Sequence, residues 1–305
     1  MSLSGQIFSI VRASLHDGPG VRTVVYFKGC NLRCAWCHNP EGLDLRPQIL
    51  MYPQRCIGCG RCMEICPEHH RLVDGEHAHV SEGCAGCGRC AQACPATAIE
   101  LCGQNYTPEA LMDVIRKDAH FYRRSGGGVS FSGGECLLQT DFLVEAARRC
   151  REEGIHVLLE SCLNVPWPQV ERAARAVDAF YVDVKHMDSQ LHQRFTGAGN
   201  ARILENIRSL SRIHPDVTLR VPLIPGANDG QENLEATLRF ALSLNENIRG
   251  LVLLRYNPLA ENKYRRTGRQ YTAFGDAPQS VEYMEALCAK LNGLAEREGF
   301  VRYQQ

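Results

Sequence analysis

The chain has 305 residues, with 34 Lys and Arg against 34 Asp and Glu, 44% hydrophobic residues and 16 cysteines. A formal charge of zero gives no electrostatic reason to bind nucleic acid or an anionic membrane, and no apolar run approaches the ~18 residues of a membrane span. The start MSLSGQIFSIVRAS carries no basic leader with a long apolar stretch. The expected compartment is therefore a reducing cytoplasm, where clustered thiols bind metal more often than they form disulfides.

In chain order, His16-Asp17-Gly18-Pro19-Gly20-Val21-Arg22 opens as a turn. A first strand is expected at Arg22–Gly29, running directly into Cys30, Cys34 and Cys37. Two matching quartets follow, Cys56, Cys59, Cys62, Cys66 in CIGCGRCMEICP and Cys84, Cys87, Cys90, Cys94 in CAGCGRCAQACP. They are a duplication of one small unit. The polar segment PEHHRLVDGEHAHVSEG between them shows no sustained apolar period and is expected to be a loop. A compact insert is placed at residues 50–103, leaving 1–49 and 104–305 as the main domain, in line with a prior of about two domains for this length.

After the insert, Thr107-Pro108-Glu109 is a helix start. The helix is expected to carry Leu111, Val114, Ile115 and Tyr122 on one face and to end at Gly126-Gly127-Gly128. Strands are expected at Val129–Phe131, Ile155–Leu159, Phe180–Val184, Val217–Leu223 and Leu251–Leu254, with helices such as Phe142–Arg151, Ala201–Arg212 and Leu234–Ser243 between them. Strands separated by helices imply parallel βαβ units. Six units make an α/β fold, a partial (β/α)6 barrel; a flat doubly wound sheet is the alternative. In either, ligands gather at the strands' C-terminal ends.

The cysteine spacings carry the chemistry. In CxxCxxCxxxCP, three thiolates grip one 4Fe–4S cluster and the fourth, before Pro67 or Pro95, reaches the other cluster of a two-cluster ferredoxin. One cluster is then held by Cys56, Cys59, Cys62 and Cys94, the other by Cys84, Cys87, Cys90 and Cys66. Zinc bound by paired CxxC units is the weaker alternative. The first group has three thiols and no obvious fourth, so a cluster there would keep one open iron. A truncated zinc knuckle, or an electron-transfer cluster completed by a distant thiol such as Cys102, stays open as an alternative.

CxxxCxxC with Trp36 before the third cysteine, after the first strand, resembles the radical S-adenosylmethionine (SAM) superfamily. His16–Arg22, Ser132-Gly133-Gly134-Glu135, Asp183-Val184-Lys185-His186-Met187-Asp188 and Arg220-Val221-Pro222-Leu223-Ile224-Pro225-Gly226 follow in the order seen in glycyl-radical-enzyme activating enzymes, relatives of pyruvate formate-lyase activase. The duplicated quartets are similar to the subgroup with a ferredoxin-like insert. The resemblance implies three 4Fe–4S clusters, two of ferredoxin type and one that binds and reductively cleaves SAM. The resulting radical takes a hydrogen atom from a backbone glycine of a partner glycyl radical enzyme. Flavodoxin or ferredoxin would donate the electron, and the chain is expected to be monomeric, without nucleic acid or membrane as partners.

The same resemblance assigns Cys30, Cys34 and Cys37 to the reactive cluster and Trp36, Gly133, Gly134, Glu135, Asp183, Lys185 and Arg220 to SAM. It gives Glu160 and Asp183 to a monovalent cation and Asp17 to the substrate loop. Alone, Gly133-Gly134 is an ordinary βα turn. The sequence also departs from the family: Cys136 stands where relatives carry Pro, Asn257 where many carry His, and Glu160-Ser161 where some carry Asp-Thr. Cys102, Cys136, Cys150, Cys162 and Cys288 show no ligand spacing. Two other functions compete: radical SAM chemistry on a small molecule or matured peptide, and a non-catalytic electron carrier with three clusters.

Overall fold

The computed structural model describes residues 3–304. Residues 1, 2 and 305, which the expected domain bounds include, lie outside the described residues. The chain opens with β1 (Gly5–Ser14), which turns back through residues 15–21 into β2 (Arg22–Phe27). Gln48 and Ile49, just ahead of the expected insert, join it in β3 (Gln48–Met51). After α1 (Arg61–Ile65), β4 (His70–Val73), β5 (Glu76–His79) and α2 (Arg89–Ala93), β6 (Ile99–Cys102) pairs with β3. Then come β7 (Gln104–Tyr106), α3 (Pro108–Ile115), α4 (Ala119–Ser125), β8 (Gly128–Gly133), α5 (Thr140–Glu152), β9 (His156–Ser161), α6 (Trp167–Ala174), β10 (Ala179–Asp183), α7 (Ser189–Thr196) and α8 (Ala201–Ile213). The chain closes with β11 (Val217–Pro222), α9 (Gln231–Leu242), β12 (Ile248–Leu254), α10 (Glu261–Thr267), α11 (Val281–Ala295) and β13 (Val301–Gln304).

The main sheet has nine strands in the order β13-β12-β11-β10-β9-β8-β2-β1-β7. From β2 to β13 every pairing is parallel, and β1 joins β2 and β7 antiparallel. The order never reverses, which a doubly wound sheet requires. Right-handed crossovers that always advance in one direction leave their helices on one face, so the sheet curls into an open barrel. The strands are buried along nearly their whole length, as in Val129–Phe131 and Leu219–Val221, because parallel strands are covered on both faces.

Several local expectations change. The strand at Arg22 is the second, not the first, since β1 precedes it. The helix begun at Thr107, whose hydroxyl accepts from the Ala110 N–H at 3.2 Å, does not run unbroken to residue 125. A 3-10 turn at Arg116–Asp118 divides it, because Asp118 turns inward to bond Thr23 and Arg12. The polar segment between the quartets is a β4–β5 hairpin rather than a loop. Its Asp74 and Gly75 take φ of 53° and 83°, the left-handed pair that a tight Asp-Gly hairpin turn uses.

Candidate active site and thiol clusters

A cavity of about 1080 Å³ opens where the C-terminal ends of the parallel strands meet their following loops. Its wall includes Cys30, Cys34, Trp36, Cys37, Gly133, Gly134, Glu160, Asp183, Lys185, Arg220 and Asp17. Residues more than two hundred positions apart in sequence thus converge on one space.

The thiol-bearing loop after β2 is stitched to the end of α7: Arg33 N–H donates to Thr196 O at 2.7 Å and Ala35 N–H to Phe195 O at 2.8 Å. Trp36 packs between Phe195 and Phe274, with ring centroids 5.7 and 5.9 Å away. Burial pushes the thiols of Cys30, Cys34 and Cys37 up to about 11, so each must lose a proton to ligate iron. Three partly buried thiols on the cavity wall could hold a 4Fe–4S cluster. Cys102, the distant candidate for a fourth ligand, does not line the cavity. Cys162 does, and its sulfur donates to Glu135 at 2.9 Å.

Gly133 and Gly134 are required by packing whatever they bind. Gly133 has φ +118°, and a Cβ there would stand 2.4 Å from Phe27 N; one at Gly134 would stand 2.1 Å from Gly29 O. The β8 end and the thiol loop therefore approach closer than any side chain allows.

Glu135 sits differently from its neighbours. It is fully buried, is not part of the cavity wall, and accepts from Leu137 N–H at 3.1 Å, Ser161 Oγ at 2.8 Å and Cys162 N–H at 2.9 Å. Its carboxylate braces the 3-10 turn ahead of α5 against the end of β9.

Four charges of the cavity wall form one network. Arg220 bonds Glu160 at 2.8 Å and Asp183 at 3.1 Å, Lys185 bonds Asp183 at 3.2 Å, and Ser132 Oγ donates to Glu160 at 2.7 Å. Burial works against each charge, yet Asp183 stays below the usual carboxylate range because Lys185 and Arg220 face it. Burial likewise opposes Lys185, but Asp183 and the Cys34 and Cys162 thiols hold it above the ordinary lysine range. The two carboxylates expected to hold a monovalent cation are here bridged by the Arg220 guanidinium.

Asp17 accepts from Ser14 Oγ. Its loop is anchored by Arg22, which is fully buried and donates to Ser130 Oγ at 2.6 Å and Pro19 O at 3.2 Å. Sequence reasoning missed Lys263, whose ammonium donates to His38 O and Asn39 Oδ1, each at 3.0 Å, and so ties α10 to the loop just after Cys37. It also missed Tyr26 and His38 on the cavity wall. No local pattern marks them.

In the insert, each duplicated quartet runs from the turn before its helix, α1 or α2, through the helix to the residue that caps its C-terminal end, Cys66 or Cys94. Burial raises the Cys62 thiol, with Cys56 and Cys59 adding to the shift. Burial also pushes Cys90 up to about 11, with Cys66 and Cys84 adding. Cys66 thus acts electrostatically on a thiol of the second quartet although it belongs to the first. Sequence reasoning also missed the imidazoles beside Cys62. His77 Nε2 lies 3.4 Å from Cys62 Sγ, and His70 Nδ1 lies 3.0 Å from His77 Nε2.

Among the described residues, no helix is long and apolar enough to cross a membrane. Residues 80–241 match the radical SAM superfamily and residues 48–95 match a 4Fe-4S dicluster domain. The first match omits Cys30–Cys37, which the insertion separates from the rest of the barrel. The (2S)-3-sulfopropanediol dehydratase activating enzyme of Klebsiella oxytoca is 42% identical over 88% of this chain and 86% of its own. The trans-4-hydroxy-L-proline dehydratase activating enzyme of Clostridioides difficile is 41% identical over 87% of this chain and 88% of its own. In fold alone, Streptococcus suis SuiB bound to precursor peptide SuiA is similar, with a TM-score of 0.55 at 12% identity over 92% of this chain and 48% of its own. With such identity to activating enzymes that it spans nearly end to end, the chain belongs to the glycyl-radical-enzyme activating enzymes of the radical SAM superfamily.

Proposed function

We propose that the chain installs a glycyl radical on a partner enzyme, using one SAM-binding 4Fe–4S cluster at Cys30, Cys34 and Cys37 and two further clusters in an insert at residues 50–103, with 1–49 and 104–305 forming the barrel. The observation that carries this reading is the cavity itself, whose wall brings three partly buried thiols together with a lysine–arginine–carboxylate network. When bound, the cluster and SAM supply the reductive cleavage whose radical removes a hydrogen atom from a glycine.

The chain's own residues bind and orient. Lys185 and Arg220 bring two cations to the wall, and Lys185 suits a carboxylate such as SAM's as a point charge. Glu160 and Asp183 hold those cations in place and balance their charge. Trp36, wedged by Phe195 and Phe274, keeps water from the thiol loop. The Gly133–Gly134 backbone, free of side chains, offers polar groups to the amino end of SAM. Glu135 supports that turn rather than touching the ligand. At the mouth, Asp17 and its Arg22-anchored loop face the place where a partner's glycine segment would enter. A cavity at the upper end of the ~300–1,000 Å³ typical of ligand pockets has room for both.

In the insert, the crossed assignment uses Cys56, Cys59, Cys62 and Cys94 for one cluster and Cys84, Cys87, Cys90 and Cys66 for the other. The charge interaction of Cys66 with Cys90 supports it. A cytoplasmic flavodoxin or ferredoxin would deliver electrons to a monomeric chain, and the exposed Cys59 and Cys87 put the insert clusters near that donor. The test is anaerobic reconstitution with iron, sulfide, SAM, a reductant and a panel of glycyl radical enzymes. A glycyl radical in one of them, read by its EPR doublet, is expected. Production of 5′-deoxyadenosine with no protein radical in any would instead favour a small-molecule or peptide substrate.

A further inference from the structure

The two quartets are near copies, yet the hairpin between them meets only one. In the antiparallel register of β4 and β5, His70 pairs with His79 and Leu72 with His77, so these four side chains share a face. That face lies against the first set of thiols. His77 Nε2 is 3.4 Å from Cys62 Sγ, and its Nδ1 is 3.9 Å from Cys56 Sγ. His70 Nδ1, 3.0 Å from His77 Nε2, holds the ring, and His70 itself is 2% exposed with its other nitrogen buried and unpartnered.

A neutral imidazole carries one N–H, and here both choices reach a sulfur. With the proton on Nε2, His77 faces Cys62; with the proton on Nδ1, it faces Cys56 while Nε2 accepts from His70. Among the described residues no imidazole hydrogen-bonds Cys66, Cys84, Cys87 or Cys90. In the second unit Arg89 touches Cys87, but both lie fully in solvent, where water screens the contact, whereas the His77 contacts are partly buried.

We propose that His77, held by His70, donates a hydrogen bond to a ligating sulfur of the first insert cluster and thereby makes it the higher-potential cluster of the two. This rests on the assignment of two clusters to the eight insert cysteines. Reduction adds a negative charge to the cluster, and an N–H dipole aimed at a ligand sulfur stabilises the reduced form. In partly buried surroundings that dipole is weakly screened. The duplication therefore yields two unequal electron sites, with the electron resting on the one beside the hairpin.

The experiment is an EPR-monitored potentiometric titration of the full chain with all its clusters, comparing wild type with H77F and H77Q. H77F is expected to lower one insert potential so that, at the wild-type midpoint, that cluster's oxidised-to-reduced ratio rises about tenfold, ~59 mV for a one-electron couple. The other insert cluster and the SAM-binding cluster should not move. H77Q, whose amide keeps an N–H, should restore the ratio to within about threefold. Should H77F fail to hold iron, H70F carries the same test, because it releases the ring without removing it; its shift should have the same direction and smaller size.

Unshifted potentials in H77F and H70F at full iron and sulfide content overturn the proposal, as do equal shifts of both insert clusters. Strong ¹⁴N hyperfine coupling at the first cluster would mean that His77 is an iron ligand, which also overturns it. So would one stoichiometric divalent ion in place of that cluster, since the ligand atoms of Cys62, His70 and His77 lie within 4.8 Å of one another and could hold one. If wild type carries fewer than two insert clusters, the iron count shows that the cluster assignment itself has failed before any potential is measured.

Discussion

In the barrel, Phe27, Phe131, Leu159, Val182, Leu219 and Leu253 are fully buried in one continuous core that runs from Ile7 to Val301. In the insert, the buried apolar cluster is Ile49, Met51, Cys90 and Ile99, while Ile57, Leu72 and Val73 lie on the surface at 67%, 60% and 44% exposure. The barrel can therefore fold on hydrophobic burial alone. The insert has too little core for that, as small units generally do, and its stability has to come from what its eight thiols bind. On the proposed assignment, iron–sulfur chemistry would be a reactant site in one region and a structural requirement in the other.

The sharpest way to break this division is to remove one thiol from each region. Cys34→Ala should abolish 5′-deoxyadenosine formation with any reductant, a loss of more than ~10³, or about 4 kcal/mol of barrier. Cys59→Ala should leave cleavage driven by a strong chemical reductant largely intact and cripple cleavage driven by a protein donor. Equal loss in both variants under the chemical reductant would mean that the regions are not separable.

Removing all iron is the next test. Chelation should make the segment between β3 and β6 sensitive to limited proteolysis while the barrel keeps a cooperative thermal transition. A barrel that melts together with the insert would show that its core depends on the clusters too.

How far this division was visible beforehand follows from the same physics. The parallel strands were legible because burial on both faces turns them into apolar runs such as VTLRVP, and the thiol spacings because short-range ligation needs fixed local geometry. β1 was not legible: its burial alternates and then fails toward Arg12 and Ala13, and its pairing with β2 is irregular at two points. The break at Arg116–Asp118 was hidden because nothing local forbids a helix there; a contact to Thr23, 95 residues earlier, makes the turn. The Asp74-Gly75 hairpin was present in the sequence as a turn pair flanked by short runs, and low apolar content masked it. In the site, the cavity-lining acids and lysine sit at strand ends where a parallel sheet gathers ligands. The inward set of Glu135 and the reach of Lys263 to His38 depend on tertiary neighbours that no spacing encodes.

Within the barrel, the charge network offers a smaller but cleaner effect. Arg220→Met leaves the partly buried Glu160 without its cation, while Asp183 keeps only Lys185, which should cost about 3 kcal/mol, the low end for breaking a buried pair. Because the barrel core needs no iron, denaturant unfolding of the iron-free chain should already show the loss. Glu160→Gln combined with Arg220→Met should cost less than Arg220→Met alone, since it also removes one orphaned charge.

The smallest predicted effect separates the regions by pH. Asp118 is buried and accepts from Arg12 Nε at 2.9 Å and Thr23 Oγ at 2.7 Å, and Tyr122 Oη donates to Thr23 at 2.6 Å. The hydrogen bond from Arg12 is the main reason that the Asp118 carboxyl titrates below its ordinary value, with burial opposing and Thr23 assisting. A carboxyl depressed in the folded state stabilises the fold above its unfolded value, about pH 4, and loses that contribution as pH falls through the folded value. Arg12 is half exposed, so water screens its share, and Asp118→Asn should cost about 1–2 kcal/mol at neutral pH. The difference between wild type and Asp118→Asn should be constant from neutral pH down to about pH 4 and shrink below it. The measurement has to be made on iron-free chain, because acid destroys the clusters. It therefore works only if the barrel stands without them. A difference that stayed constant below pH 4 would place the stabilisation in packing around Asp118 and not in its charge.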